Sequence, residues 1–273
     1  MKNIYILLRV IRRFLPEGLT RFLLRRGIII KPGLESANPK RAAHIYIKTF
    51  NQAGINIEGK RILIFGYGGN YGTACALLEL GASHITLSDL FAPPNNPRNL
   101  ELLEEYGQYL IQRDDSVSPN PKYISLVHGD IVDRAKDISV DIVLSTSVFE
   151  HLDGVGKITE ALASCTTVDG SHLHFIDLRD HNFKFPFMML TFKEKTWRKW
   201  LNPTSHLNRF RIWDYQKVFE SCFKNVDIQI LQRNETEFSQ IQTKILPEFL
   251  CGDIAQDSVV KILALVSNPI RSE

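Results

Sequence analysis

Residues 61–72 read Arg-Ile-Leu-Ile-Phe-Gly-Tyr-Gly-Gly-Asn-Tyr-Gly, an apolar run that passes directly into a glycine-rich loop. The run predicts a buried strand, and the Ala- and Leu-rich stretch 73–80, which ends at Gly81, predicts the helix after it. Glycines at such a turn let the backbone approach a ligand closely, and a helix N-terminus offers N–H groups without intrahelical acceptors. The stretch therefore predicts a nucleotide-type binding loop, although some loops of this kind are purely structural.

From residue 60 onward, short apolar runs alternate with amphipathic stretches. The predicted strands are 61–65, 84–88, 123–127, 140–145, 172–177, 226–231 and 261–266. This alternation predicts an α/β fold, a doubly wound sheet of seven mostly parallel strands with helices on both faces. The 273-residue chain is 44% hydrophobic and 23% charged, which excludes a disordered chain and a fibrous rod.

Two carboxylates follow neighbouring predicted strands. The second strand ends in Asp89, and the third leads through Gly129 into Asp130 and Ile131. At the carboxyl edge of a parallel sheet, Asp89 is placed to accept hydrogen bonds from both hydroxyls of a ribose. Asp130 is placed to bind the amino group of an adenine. A single aspartate of this kind is usually a solvated turn residue, whereas two in register favour a ligand site.

The fourth strand leads into Ser145-Thr146-Ser147-Val148-Phe149-Glu150-His151-Leu152. With the glycine loop, Asp89 and Gly129-Asp130, this stretch resembles the class I S-adenosylmethionine-dependent methyltransferases over residues 60–266. The resemblance implies a Rossmann-like methyltransferase fold, S-adenosyl-L-methionine as cofactor, and Glu150 and His151 at the start of a helix as capping and packing residues. It also implies a set of cofactor-binding residues: Gly66, Tyr67, Gly68, Gly72, Asp89, Leu90, Asp130, Ile131, Ser145, Thr146 and Val148.

One position departs from the family pattern. The family usually carries an acidic residue two positions before the first glycine, and this chain has Ile64 there. The departure keeps open a non-catalytic methyltransferase-like scaffold. A second alternative is an NAD(P)-dependent oxidoreductase of Rossmann fold, since Gly66, Gly68 and Gly72 form a related glycine pattern. No tyrosine is followed four residues later by lysine, so the short-chain reductase signature is absent.

The connection 178–211 is longer than a strand-to-helix link requires, which predicts a lid inserted after the fifth strand. It begins in Arg179-Asp180-His181 and ends in Asn208-Arg209-Phe210-Arg211, and this pairing resembles a subset of bacterial methyltransferases. His181 is the first candidate for a general base and His206 the second, because imidazole titrates near neutral pH. A merely structural hydrogen bond from His181 to a loop carbonyl is an equal alternative.

Three arginines of the same connection are candidate clamps for a carboxylate or phosphate of the substrate: Arg179, Arg209 and Arg211. A structural ion pair between Arg179 and Asp180 is the alternative. The aromatic and basic residues of the connection favour a lid over an apolar pocket, and therefore a small-molecule, glycan or lipid-linked acceptor methylated at O or N, rather than nucleic acid. His172 and His174 lack a third ligand, so no metal site is predicted.

The net charge of +3 is unevenly distributed. Residues 1–31 carry eight basic residues against one acidic residue, which gives +7, and the remainder carries −4. We predict a basic helical segment over 1–55 and a methyltransferase domain over 56–273. The segment carries neither a secretory signal nor a transmembrane span, and either docks on the domain or lies in an anionic membrane interface. Four scattered cysteines favour the cytoplasm, and the oligomeric state is not predicted.

Overall fold

A computed structural model describes residues 2–14, 38–90, 92–181, 185–202 and 206–271. Its nine strands in the described ranges are β1 Arg61–Phe65, β2 His84–Asp89, β3 Leu110–Arg113, β4 Ser116–Pro119, β5 Ile124–His128, β6 Val140–Thr146, β7 Thr166–Asp177, β8 Phe223–Arg233 and β9 Val259–Pro269. Seven form one sheet in the order β5-β2-β1-β6-β7-β9-β8, and β9 runs antiparallel to both of its neighbours. The predicted seven-stranded, mostly parallel sheet is confirmed. The β3–β4 hairpin was not predicted.

The helices in the described ranges are α1 Lys2–Phe14, α2 Pro39–Gln52, α3 Gly72–Glu79, α4 Asn96–Leu100, α5 Leu103–Tyr106, α6 Ile131–Arg134, α7 Val155–Ser164, α8 Glu194–Thr196, α9 Ile212–Cys222, α10 Glu235–Ile241 and α11 Ile254–Asp257. None of them has the length and hydropathy that a membrane span requires. Helices α2 and α3 cover one face of the sheet, and α7 and α9 cover the other.

Side-chain alternation along β1 explains the two layers. Ile62 and Ile64 pack into the cluster under α2 and α3, whereas Leu63 and Phe65 pack into the cluster under α7 and α9. Successive strand residues point to opposite faces, so a continuous apolar run is what a strand buried on both faces needs. The chain moves outward in one direction through β2 and β5 and in the other through β6 and β7. Parallel sheets bind ligands outside the carboxyl ends of the strands, at this change of direction.

A third apolar cluster joins the N-terminal helix to the connection 178–211. Its buried members include Tyr5 of α1 and Phe187, Met189 and Trp197 of the connection. The described part of the connection folds into short helical turns, Met188–Thr191, α8 and Trp197–Leu201. Residues 182–184 and 203–205 of the connection and residues 15–37 of the basic segment lie outside the described residues. The lid role and the division of the chain after residue 55 stay predictions.

Candidate functional site

The glycine loop between β1 and α3 has a backbone that other residues do not adopt readily. Gly66, Gly68 and Gly69 have φ of +82°, +65° and +84°. A Cβ on Gly66 would lie 2.3 Å from Cγ2 of Val148, and a Cβ on Gly69 would lie 2.4 Å from the carbonyl oxygen of Pro93. Glycine is required at these two positions by both conformation and space.

A buried asparagine holds this loop in place. Asn99 of α4 accepts a hydrogen bond from the Tyr71 amide at 3.0 Å and donates one to the Gly69 carbonyl at 3.0 Å. The Asn95 amide donates to the same carbonyl at 2.8 Å. Sequence reasoning missed Asn99, because its only signal is a polar residue at a position that becomes buried. The backbone of the loop is therefore fixed before any ligand arrives.

The two predicted carboxylates do follow adjacent strands. Asp89 ends β2 opposite His128 of β5, and Asp130 comes two residues later. Asp89 accepts hydrogen bonds from the amides of Gly68 at 3.1 Å and Ala92 at 2.8 Å. Asp130 caps α6 by accepting from the Val132 amide at 2.9 Å. The structure thus brings the glycine loop and Asp89 into contact and places Asp130 at the neighbouring strand end.

The residues that follow these carboxylates differ in exposure. Leu90 is 53% exposed, whereas Ile131 is buried. Tyr67 and Tyr71 are also buried, and their stacked rings lie 6.2 Å apart. Neither hydroxyl has a hydrogen-bond partner in the described structure, and burial raises the pKa of both, that of Tyr71 to about 12. These two hydroxyls in the glycine loop are candidate hydrogen-bond donors to a ligand.

At the end of β6 the structure separates two neighbours that we grouped together. Thr146 hydrogen-bonds the hydroxyl of Tyr46 at 2.5 Å and lines a cavity. Ser145 is buried and hydrogen-bonds Nδ1 of His174 at 2.7 Å, so its side chain belongs to the core instead. Burial lowers the pKa of His174 to about 3 and that of His172 well below its usual value, so both imidazoles are neutral.

The cavity lies between α2 and the carboxyl ends of β6 and β7. It has a volume of about 310 Å³ and is lined mainly by apolar groups. Its polar lining comes from five side chains: Tyr46, Thr146, Ser147, Asp177 and Lys261. A concave, mostly apolar space of this size with a few polar groups suits a small organic ligand.

Glu150 lies in a tight turn rather than at a helix start. The turn Phe149–His151 is a 3-10 helix, and α7 begins only at Val155 with Gly154 as its N-cap, so the predicted capping role of Glu150 and His151 is wrong. Glu150 is 3% exposed, and neither carboxylate oxygen has a hydrogen-bond partner in the described structure. Burial, reinforced by the nearby charge of Asp177, raises the Glu150 pKa to about 8.

His181 is close to this turn. Its ring centroid lies 4.7 Å from that of His151, and one ligand atom each of Glu150, His151 and His181 lie within 4.8 Å of one another. His206 is further into the connection, where its Nδ1 accepts a hydrogen bond from Asn202 at 2.9 Å. Burial lowers the His206 pKa. The two candidate bases therefore occupy different surroundings.

The first arginine of the connection pairs with a neighbour that we did not select. Arg179 donates to both carboxylate oxygens of Asp177, with Nε 2.8 Å from Oδ1. The alternative ion pair with Asp180 is wrong, because Asp180 instead binds Arg9 and Tyr5 of α1. Arg179 keeps 21% of its side chain exposed, next to a cavity-lining carboxylate.

The other two arginines lie in the interior of the connection and do not line the cavity. Arg209 is 3% exposed, and it donates to the carbonyls of Met189 and Phe192 and pairs with Glu194. Arg211 is fully buried and donates to the carbonyls of Asp257 at 2.7 Å and Val259 at 2.9 Å. Burial lowers the pKa of both, that of Arg211 to about 10. Their predicted clamp role is replaced by a structural one.

Comparisons with known proteins rest on structure alone. No family model matches the chain, and no curated protein sequence matches it. A protein from Galdieria sulphuraria, provisionally assigned as a sarcosine dimethylglycine methyltransferase, is 13% identical over 84% of this chain and 85% of that chain, with a TM-score of 0.52. Phosphoethanolamine N-methyltransferase 2 from Haemonchus contortus, solved with S-adenosyl-L-methionine, is 13% identical over 84% of this chain and 53% of that chain, with a TM-score of 0.50.

These similarities extend over 84% of this chain. The seven-stranded sheet and the glycine loop of this chain agree with the fold predicted from residues 60–266. The chain therefore has the fold of the class I S-adenosylmethionine-dependent methyltransferases.

Proposed function

We propose that the protein is an S-adenosyl-L-methionine-dependent methyltransferase. The observation that carries the proposal is the carboxyl edge of the sheet, where a glycine loop at positive φ touches Asp89 and is followed by Asp130 on the next strand. Side chains at Gly66 and Gly69 would collide with Val148 and with the Pro93 carbonyl, so the conformation of this loop requires glycine there. Asp89 would hold the ribose hydroxyls and Asp130 the adenine, as the predicted roles require. The bound cofactor would supply an electrophilic methyl group on its sulfonium.

Ile64 cannot supply the polar group that the family carries at this position, and residues of other elements supply polar groups nearby. Ile64 is 1% exposed and packs in the core, so this position offers no polar group to the cofactor. The Tyr46 and Thr146 hydroxyls form a hydrogen bond with each other where they line the cavity at the end of β6, and they supply polar atoms there. This pair supports cofactor binding rather than the scaffold alternative, and no described feature favours a nicotinamide.

The acceptor is a small molecule, or the small reactive end of a glycan or lipid-linked precursor, methylated at O or N. A mainly apolar cavity of about 310 Å³ supports this class over nucleic acid. Methyl transfer from a sulfonium is an in-line displacement, so the main work of the protein is to hold the nucleophile in line with the methyl carbon. Asp177 and Lys261 are the charged groups that line this space.

Of the two candidate bases, the geometry favours His181. It lies beside Glu150, whose surroundings include the cavity-lining Ser147 and Asp177. His206 hydrogen-bonds Asn202 and has Asp153 3.6 Å from its Nε2, so its ring is engaged within the connection. A base is needed only when the nucleophile arrives protonated.

The direct test is calorimetric titration with S-adenosylhomocysteine. We expect binding to the wild-type chain and no binding of NADH or NADPH. Asp89→Ala should weaken S-adenosylhomocysteine binding by about tenfold or more, because it removes a charged hydrogen-bond acceptor worth about 1.5–3 kcal/mol. Asp137→Ala is the matched control, because it removes an exposed carboxylate in the turn Ala135–Asp137 that follows α6. Absence of binding at millimolar ligand would contradict the proposed function.

We also infer that α1 attaches the protein to an anionic membrane surface. Tyr5 and Arg9 dock the helix on the connection, and its other face exposes five large apolar side chains: Ile4, Leu7, Leu8, Ile11 and Phe14. Trp200, which is 46% exposed, lies 6.1 Å from Phe14. Exposed Lys199 lies 5.1 Å from the centre of the Trp200 ring, and an apolar face with a cation at its edge matches an anionic bilayer interface.

Vesicle flotation of the full chain tests this attachment. We expect flotation with vesicles containing phosphatidylserine, weaker flotation with neutral vesicles, and loss of flotation for Leu7→Glu/Ile11→Glu. Both changed residues are exposed, so folding should be unaffected. Equal behaviour of wild type and variant would overturn the inference, and so would a concentration-dependent dimer that the variant abolishes.

A further inference from the structure

The carboxylate of Glu150 is buried without a hydrogen-bonded partner in the described structure, and the cation that acts on it electrostatically, Arg179, is hydrogen-bonded to Asp177. The two oxygens of Glu150 have no hydrogen-bond partner although the residue is 3% exposed. An isolated buried carboxylate is costly unless it is neutralised by a proton, a basic side chain or a metal ion. Its capping role is excluded, because α7 begins beyond it with a different N-cap. Glu150 is therefore a buried carboxyl group whose oxygens have no hydrogen-bond partner in the described structure.

Two imidazoles lie at the same place. The ligand atoms of Glu150, His151 and His181 lie within 4.8 Å of one another. Metal bonds to such atoms are about 2.0–2.2 Å long, so ligand atoms around one cation lie about 3–4 Å apart. Side-chain movements of about 1 Å would bring the ligand atoms to the separations expected around one cation. The cluster is thus near the geometry of a single ion shared by three ligands.

The tautomer of His151 is set by its surroundings. Its Nδ1 lies 2.8 Å from the carbonyl oxygen of His206, and a carbonyl only accepts, so Nδ1 carries the proton. The lone pair is then on Nε2. Metal-binding histidines characteristically donate their other N–H to a carbonyl or carboxylate, which fixes the ring orientation. His151 already has this arrangement.

The turn that carries Glu150 and His151 is also held in place. The Asn208 side chain donates to the carbonyls of Phe149 at 2.7 Å and Leu152 at 3.2 Å, and its amide donates to the Glu150 carbonyl at 3.0 Å. His181 follows Asp180, which the buried pair with Arg9 holds. Both parts of the cluster are therefore positioned by structure independent of any ion.

We propose that Glu150, His151 and His181 bind a divalent transition-metal ion. Two imidazole nitrogens and one carboxylate suit Mn²⁺, Fe²⁺, Co²⁺ or Zn²⁺, whereas Mg²⁺ and Ca²⁺ prefer sites made only of oxygen. Three protein ligands leave at least one coordination position for water or another ligand. The site adjoins the cavity, because Ser147 and Asp177 line that cavity and surround Glu150.

The metal-site proposal rests on the proposed function in one respect only, because it changes the role of His181 within that function. A nitrogen that coordinates a metal ion has no lone pair left to accept a proton, so His181 acts as a ligand and not as the general base. Metal binding itself requires neither the cofactor nor an acceptor.

The experiment is calorimetric titration of Co²⁺ and Zn²⁺ into the full, chelator-treated chain without S-adenosylmethionine. We expect one ion per chain, a rise in the unfolding temperature with Co²⁺, and visible absorption bands of a Co²⁺ ion bound by the protein. Glu150→Gln and His181→Ala should each weaken binding at least tenfold. His44→Ala, which removes an exposed imidazole of α2, should leave the dissociation constant unchanged.

The variants keep the proposal falsifiable. Glu150→Gln keeps the side-chain volume and removes a buried carboxyl group whose oxygens have no hydrogen-bond partner in the described structure, so it should fold without metal, as circular dichroism would show. A wild-type stoichiometry near zero would overturn the proposal, and so would unchanged affinity in both variants. Because S-adenosylhomocysteine binding is measured separately, its failure would contradict the proposed function and leave the metal site standing.

Discussion

The carboxyl edge of the sheet and the connection 178–211 both carry conspicuous polar residues, and they use them in opposite ways. At the edge, Asp89 and Asp130 accept hydrogen bonds from backbone amides, and the shape of the site comes from glycines. In the connection, Arg209 and Arg211 are buried against carbonyl groups. A charged residue in a long connection is thus as available for holding that connection together as for binding substrate.

The reason for the difference is how each segment satisfies its backbone. Strands and helices pair their own amides and carbonyls, so their terminal side chains remain available for ligands. The connection contains short turns whose carbonyls, such as Met189 and Phe192, have no ladder to join, and Arg209 binds both. Arginine, with five donors in a fixed fork, suits this task. An arginine in such a connection is therefore as well suited to hydrogen-bonding the carbonyls of the connection as to binding an anionic group of a substrate.

The largest expected effect is on the free energy of unfolding and comes from a substitution at Asp180, which tests whether charged residues of the connection serve its structure. Asp180→Ala should lower the free energy of unfolding by about 3–5 kcal/mol, because it leaves Arg9 charged and buried without its partner. Urea unfolding followed by circular dichroism measures this loss. Asp153→Ala is the matched control, since Asp153 is 71% exposed in a surface pair and should change stability by less than about 1 kcal/mol. Equal effects would show that α1 does not dock through this pair.

Arg209 provides the next test. Arg209→Ala should cost about 3 kcal/mol of stability, because it leaves two carbonyls and Glu194 without their donor. Arg179→Ala, at a partly exposed pair, should cost less than about 1 kcal/mol. Unfolding free energies of both variants decide the point. A destabilised Arg179 variant and a stable Arg209 variant would reverse the roles that we assign to the two arginines.

A smaller effect is expected at the glycine loop. Gly69→Ala should cost about 2 kcal/mol, because φ is +84° and the new Cβ would meet the Pro93 carbonyl oxygen. It should also weaken S-adenosylhomocysteine binding. Gly156→Ala, at a helical position of α7 where a new Cβ meets no atom within 4 Å, should leave binding unchanged and should not lower stability. If Gly69→Ala binds S-adenosylhomocysteine normally, ligand binding at the carboxyl edge of the sheet does not depend on the backbone conformation of the glycine loop.

The fold was predictable because its signals are local. The run Ile62–Ile64 is buried on both faces of the sheet, and such a run reads as a strand without knowledge of its neighbours. All seven predicted strands form the sheet. The ends of β1, β2, β5 and β6 agree to within one residue, whereas β7 begins six residues earlier than predicted and β8 and β9 are two or three residues longer at each end. The β3–β4 hairpin was missed because its strands are four residues long and mostly polar, so they lack a periodic signal.

The site was predictable only where one residue sits at one strand end. Asp89 and Thr146 follow directly from strand boundaries. Ser145 was misplaced because strand alternation turns it toward His174, one residue away from the cavity-lining Thr146. The meeting of Glu150 with His181 and of Asp180 with α1 depends on contacts between residues far apart in sequence. No spacing pattern in the chain encodes such contacts.

The buried pair between Arg9 and Asp180 makes α1 and the Glu150 cluster thermodynamically linked. When α1 leaves its position, Asp180, the residue before His181, loses its contacts with Arg9 and Tyr5. Whatever binds only the docked helix therefore favours the arrangement that presents His181. Such coupling is reciprocal, so the factor by which vesicles tighten Co²⁺ binding must equal the factor by which Co²⁺ tightens vesicle binding. The N-terminal helix is then an effector segment of the site, and its removal is not a neutral truncation.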